Sequence, residues 1–124
     1  MKQWMIGLMM GSLVGASALA WAHEGHEGAE PSQTITREVV DLACYLDHGA
    51  MGAKHEGCAQ KCIASGLPVG IKSGNTLYLA VGSDHGTANA ALAPLASKQV
   101  TVEGDVSERD GLHLIEVKKV TAKS

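Results

Sequence analysis

Residues 67–81, with the sequence LPVGIKSGNTLYLAV, alternate apolar side chains with other residues on both sides of a turn at 72–75. A period of two residues is typical of β-strands, and a Gly-Asn pair between two such runs is typical of a tight hairpin turn. The stretch therefore predicts two antiparallel strands in the middle of the chain.

The residues before this hairpin predict a first strand and a helix. Residues 34–45 are rich in β-branched side chains, which favour a strand that runs to Tyr45. The composition of residues 53–64 favours a helix, and Gly66 with Pro68 just beyond it is typical of a helix end.

The residues after the hairpin predict a loop, a short helix and a second hairpin. The loop covers residues 83–89. The composition of residues 90–97 favours a short helix, which Pro94 could restrict to 94–98, because proline is tolerated in the first turn of a helix. Two further strands lie at 100–106 and 112–120, on either side of a turn at 109–111.

This order of elements predicts a mostly-β domain. It indicates a five-stranded OB-like barrel with a short helix between strands 3 and 4 and a Cys/His-rich helical insert after strand 1. An open five-stranded sheet capped by the helical insert is the alternative.

Residues 92–106, LAPLASKQVTVEGDV, resemble a short helix and the following Gly-Lys-x-Val-x-Val-x-Gly-x-Val strand in small exported bacterial OB-fold proteins. Ser97 stands where that pattern usually has glycine. The resemblance implies the fold but no activity, because the fold carries many functions. Copper chaperones of this fold bind through methionines on barrel strands. Met51 is the single methionine after residue 22, so none of their ligands is carried over.

The first 22 residues predict a signal peptide, with Lys2, an apolar run at 4–19 and a small-x-small site that ends at Ala22. An uncleaved anchor is the alternative, but the run is short for a membrane span. We expect cleavage after Ala22 and a periplasmic or secreted protein. Residues 23–33 then form a flexible His/Glu/Gly tail, and 34–124 form the OB-like domain with a metal-binding insert at 44–66.

The charge pattern excludes several classes of partner. The formal net charge is −3 and no basic run is present, which argues against nucleic acid and against an anionic membrane surface. No phosphate-binding loop, nucleophile elbow or carboxylate pair occurs, so the sequence does not predict an enzyme.

Residues 44–62 contain all three cysteines and two of the six histidines. On a helix over 53–64, His55, Cys58 and Cys62 share one face at positions i, i+3 and i+7. Cys44 ends the preceding strand, and the intervening loop can return it to that face. Three thiolates and one imidazole suit zinc or copper, which predicts a site formed by these four residues.

Other residues extend this hypothesis. His48 is a replaceable fifth ligand, and the tail histidines His23 and His26 are secondary metal candidates. Asp41 and Asp47 flank Cys44 and could orient a ligand histidine. The sequence therefore predicts an exported protein that binds copper or zinc for storage, delivery or sensing, with a metal-receiving partner protein.

Two alternatives remain open. Cys44 could form a disulfide with Cys58 or Cys62, which would leave one free thiol and an interaction module that binds a partner through the barrel. Cys58 and Cys62 are poorly placed to pair, because side chains at i and i+4 hold their Cβ atoms about 6 Å apart. A thiol-redox protein is the other alternative, and it requires a cysteine with a depressed pKa.

Overall fold

The computed structural model describes residues 30–124, in which five strands form a closed barrel. The predicted signal peptide and tail residues 23–29, with His23 and His26, lie outside the described residues. The strands are β1 (Glu30–Asp41), β2 (Val69–Ser73), β3 (Thr76–Gly82), β4 (Gln99–Arg109) and β5 (Leu112–Ala122). The helices are α1 (Leu42–His48), α2 (Glu56–Ala64) and α3 (Asn89–Leu92), with 3-10 turns at Ala53–His55 and Ala93–Leu95.

The strand order around the barrel is β1-β2-β3-β5-β4, and β4 pairs with β1 to close it. All neighbouring pairs are antiparallel except β3 and β5, which run parallel. The predicted OB-like barrel is confirmed, and the open sheet is wrong. Closure pairs the backbone of every strand on both sides, which removes exposed sheet edges.

The core combines barrel residues with helix residues. Val39, Ile71 and Ile115 are fully buried inside the barrel, and Ile63 of α2 and Leu92 of α3 join the same cluster. Helix α2 packs against β1, α3 and the second 3-10 turn. Burial of large aliphatic side chains supplies the core in a chain without phenylalanine.

Both ends of the first strand differ from the sequence predictions. Strand β1 begins at Glu30, inside the segment assigned to the tail. The same strand ends at Asp41 instead of Tyr45, because the Asp41 side chain accepts the Ala43 amide hydrogen bond and starts α1. Cys44 therefore lies on a helix, and the expectation that it ends a barrel strand was wrong.

The short helical segment before β4 matches the longer predicted range of 90–97, with α3 at Asn89–Leu92 and a 3-10 turn at Ala93–Leu95. The narrower range of 94–98 is wrong, because the segment begins at Asn89. Pro94 stands in the first turn of the following 3-10 segment, where its missing N–H costs no hydrogen bond. The helix over 53–64 is confirmed with a 3-10 first turn, and its end forms a Schellman motif: Gly66 (φ 103°) donates to Ile63 and Leu67 donates to Cys62. None of the described helices has the length and apolar character needed to cross a bilayer.

Candidate metal centre

Helix α1 is held on the outside of the barrel by close packing over Gly70. A Cβ atom at Gly70 would lie 2.6 Å from Leu42 Cδ2 and 2.9 Å from the carbonyl oxygen of Tyr78. Only a glycine leaves room for the first residue of α1 at this point. The Lys72 ammonium lies 5.9 Å from the ring centroid of Tyr45, a further contact between β2 and α1.

The segment between the two helices is fixed by a buried carboxylate. Glu38 of β1 is 8% exposed, and its Oε1 accepts the amide N–H of Gly52 at 2.6 Å. This bond sets where the chain turns from α1 toward α2. Glu38 was not among the residues predicted from the sequence, although a carboxylate inside a β-branched strand is the kind of residue that marks a buried hydrogen bond.

The C-terminal end of helix α2 is held by the side-chain amide of Asn89. Asn89 Nδ2 donates to the carbonyl oxygens of Ile63 at 2.7 Å and Leu67 at 2.8 Å. Ile63 is also fully buried in the core. The position of the helix that carries Cys58 and Cys62 is therefore set by packing and by hydrogen bonds at its C-terminal end.

The fold brings the three cysteines together. The Sγ atoms of Cys44, Cys58 and Cys62 all lie within 4.8 Å of one another, and all three are free thiols. Cys58 is exposed, and the other two are half-buried. Three sulfurs this close can hold a metal ion. The sequence prediction that these cysteines form one group is confirmed.

A small cavity adjoins the thiols. Its volume is about 20 Å³, and its polar lining consists of Asp41, Cys44, His48, His55 and Cys58 with Ser97. A space of this size holds one water molecule or one ion. An organic ligand does not fit it.

Both predicted histidines line this cavity without joining the thiol group. Their ring centroids lie 6.3 Å apart. Among the described residues, the ligand atoms that lie within 4.8 Å of one another come from the cysteines and from neither histidine. His55 lies in the 3-10 turn that precedes α2, so its direction departs from the regular helical face. His48 contacts Asp47, with 3.1 Å between Nδ1 and Oδ2.

Asp41 is the charged group beside the thiols. It is 2% exposed, and its Oδ2 has no partner of regular hydrogen-bond geometry among the described residues. Hydrogen bonding to Asp41, burial, and repulsion by Asp41 and the other cysteines together raise the pKa of Cys44 to about 12. The pKa of Cys62 is also raised. The largest cause is burial, and hydrogen bonding to Asp41, the charge of Asp41 and the nearby Cys58 add to it. Asp41 thus faces thiols, and not the ligand histidine that the sequence predicted for it.

No protein-family model, curated protein or solved structure matches the chain. The chemistry of the site therefore follows from its own residues.

Proposed function

We propose that the chain is an exported carrier of a thiophilic transition metal ion, copper(I) or zinc, bound by Cys44, Cys58 and Cys62. The observation that carries the proposal is the convergence of three thiols from two helices to within 4.8 Å. Thiolates are soft ligands, and they favour these two ions over calcium or magnesium.

The distances suit a bound ion. A metal–thiolate bond of about 2.3 Å places three sulfurs around one ion about 4 Å apart. The distances between the sulfur atoms need to shorten by less than about 1 Å to reach that geometry.

The adjoining cavity supports His55 as a fourth ligand, with His48 as its replacement. Zinc in a structural site takes four ligands in a tetrahedron, so it needs one of these imidazoles or a water molecule. Copper(I) bound by the three thiolates needs neither. Loss of the fourth ligand should therefore weaken zinc binding but not copper(I) binding, which distinguishes the two ions experimentally.

The thiol-redox alternative is disfavoured by the electrostatics of two of its cysteines. A reactive thiolate needs a positive neighbour, whereas Cys44 and Cys62 lie against the Asp41 carboxylate, and their pKa values are raised. A disulfide module with one free thiol competes more directly, because the sulfurs are close to one another.

Native mass spectrometry of the protein purified from an oxidising compartment tests the proposal. We expect one ion of copper or zinc that is lost with a chelator, and three reduced cysteines after its removal. A mass two hydrogens below that of the reduced chain, with no ion, would establish the disulfide and overturn the proposal. The Cys44→Ser/Cys58→Ser/Cys62→Ser variant is the matched control, and we expect it to carry no ion.

A further inference from the structure

The three thiols differ in access. Cys58 is exposed, while Cys44 and Cys62 are half-buried and lie against the buried carboxylate of Asp41. The residue before Cys58 is Gly57, and a Cβ atom built there would meet nothing within 4 Å. One sulfur of the group is thus more open to an approaching molecule than the other two, which are partly covered.

Two exposed lysines flank Cys58 along the chain. Lys61 follows Cys58 by one turn of α2, and Lys54 precedes it by about one turn, in the 3-10 segment. Both residues are exposed, and neither forms an ion pair with another described residue, in contrast to Lys98, which pairs with Glu56. Glu56, the carboxylate between them, pairs with Lys98, so Lys54 and Lys61 remain as net positive charges on either side of Cys58, on a chain whose formal net charge is −3.

We propose that the metal leaves through exchange at Cys58, and that the acceptor is a protein thiol set in an acidic surface. The inference rests on the proposed function and adds the chemistry of the partner. Thiolates compete for a soft ion on equal terms with the donor cysteines, whereas carboxylates do not. Acidic residues around the acceptor thiol would meet Lys54 and Lys61, and such complementarity accelerates association.

The exchange conserves charge and oxidation state. The acceptor thiol gives up its proton, and its sulfur forms a bond to the ion. The bond between the ion and Cys58 Sγ breaks, and the released Cys58 thiolate takes a proton. Cys44 and Cys62 hold the ion during this step. A second acceptor thiol then gives up its proton and bonds to the ion, and the Cys44 and Cys62 thiolates leave, taking up that proton and one from water. No electron is transferred.

Alkylation mapping tests the order of exchange. The copper(I)-loaded protein is mixed anaerobically with a peptide that carries one cysteine between glutamates, and free thiols are then pulsed with an alkylating probe. We expect Cys58 to be labelled first, while Cys44 and Cys62 stay protected. First labelling at Cys44 or Cys62 would overturn the proposal. Labelling of all three before the peptide is added would mean that no ion is held, which is the separate failure of the proposed function.

Charge reversal tests the partner. We expect Lys54→Glu/Lys61→Glu to slow transfer to the acidic peptide by about tenfold at low ionic strength, an effect that salt removes. Lys119→Glu/Lys123→Glu makes the same change in net charge elsewhere, on and beyond β5, and should leave the rate unchanged. Equal slowing by both pairs, or no slowing by either, would refute the acidic acceptor. A peptide with lysines in place of the glutamates should reverse the preference.

Discussion

The Asp41 carboxylate joins the start of α1 to the thiol of Cys44. Its Oδ1 accepts the Ala43 amide hydrogen bond at 3.0 Å, and the same carboxylate interacts with the Cys44 thiol in the first turn of that helix. One buried side chain therefore sets both the position of a proposed metal ligand and the ease with which that ligand loses its proton.

Metal affinity should rise with pH through the neutral range. The raised pKa values keep the Cys44 and Cys62 thiols protonated there, and a metal ion must displace those protons. We expect the dissociation constant to fall roughly tenfold per pH unit for each proton released, measured by competition with a chelator between pH 6 and 8. An affinity that does not change over this range would show that the thiols bind as preformed thiolates.

The metal-free protein should lose stability in alkali. A thiol with a pKa raised by folding favours the folded state below its unfolded pKa of about 8.5, and this contribution is lost as pH rises toward about 12. The contribution of these thiols to the urea unfolding midpoint should therefore stay constant from pH 6 to 8, and the midpoint should fall above pH 9. The triple cysteine-to-serine variant should show a smaller alkaline decline, and an identical decline would contradict the assignment.

Asp41→Asn should tighten metal binding at neutral pH. Asparagine is as good an N-cap as aspartate, so α1 keeps its start, while the negative charge beside the thiols is removed. We expect the affinity to rise about tenfold for each unit by which the thiol pKa values fall. Asp110→Asn is the control, since Asp110 is exposed in the turn between β4 and β5. Weaker binding by Asp41→Asn would instead make Asp41 a ligand or an essential acceptor.

The histidines should distinguish zinc from copper(I). His55→Ala should weaken zinc binding by more than roughly 10–100-fold, because it removes a direct ligand. That range is the usual loss when a residue that only hydrogen-bonds to a metal ligand is removed. Copper(I) affinity should hardly change. His48→Ala should have a smaller effect on zinc. His85→Ala is the control, because His85 is exposed and contacts Glu116 away from the cavity. Equal zinc affinities in the His55 and His85 variants would exclude His55 and leave His48 or water as the fourth ligand.

Gly70→Ala should disturb the thiol group although Gly70 is not part of it. The new Cβ would clash with Leu42 and with the backbone of Tyr78, which forces α1 to shift at a cost of about 1–3 kcal/mol. Because α1 carries Cys44, metal affinity should fall as well. Gly57→Ala in α2 meets no atom within 4 Å and should be neutral or stabilising by about 0.5–1 kcal/mol. Denaturant midpoints and metal titrations of both variants check this contrast.

The sequence by itself determined the local elements and the composition of the site. The alternation at residues 67–81 determined a hairpin, Gly66 determined the end of α2, and the spacing of Cys58 and Cys62 placed both thiols on one helix face. These features depend on neighbours within a few residues, because backbone dihedral preferences and side-chain periodicity are local properties.

Only the tertiary structure decided where Cys44 lies and what surrounds it. The β-branched composition of residues 34–45 favoured a longer strand, but Asp41 capped a helix that packs over Gly70, a residue far along the chain. The parallel pairing of β3 with β5 and the burial of Asp41 also depend on residues that are distant in sequence. Such contacts form because the folded chain must fill a shared core and satisfy its buried polar groups, which no local pattern encodes.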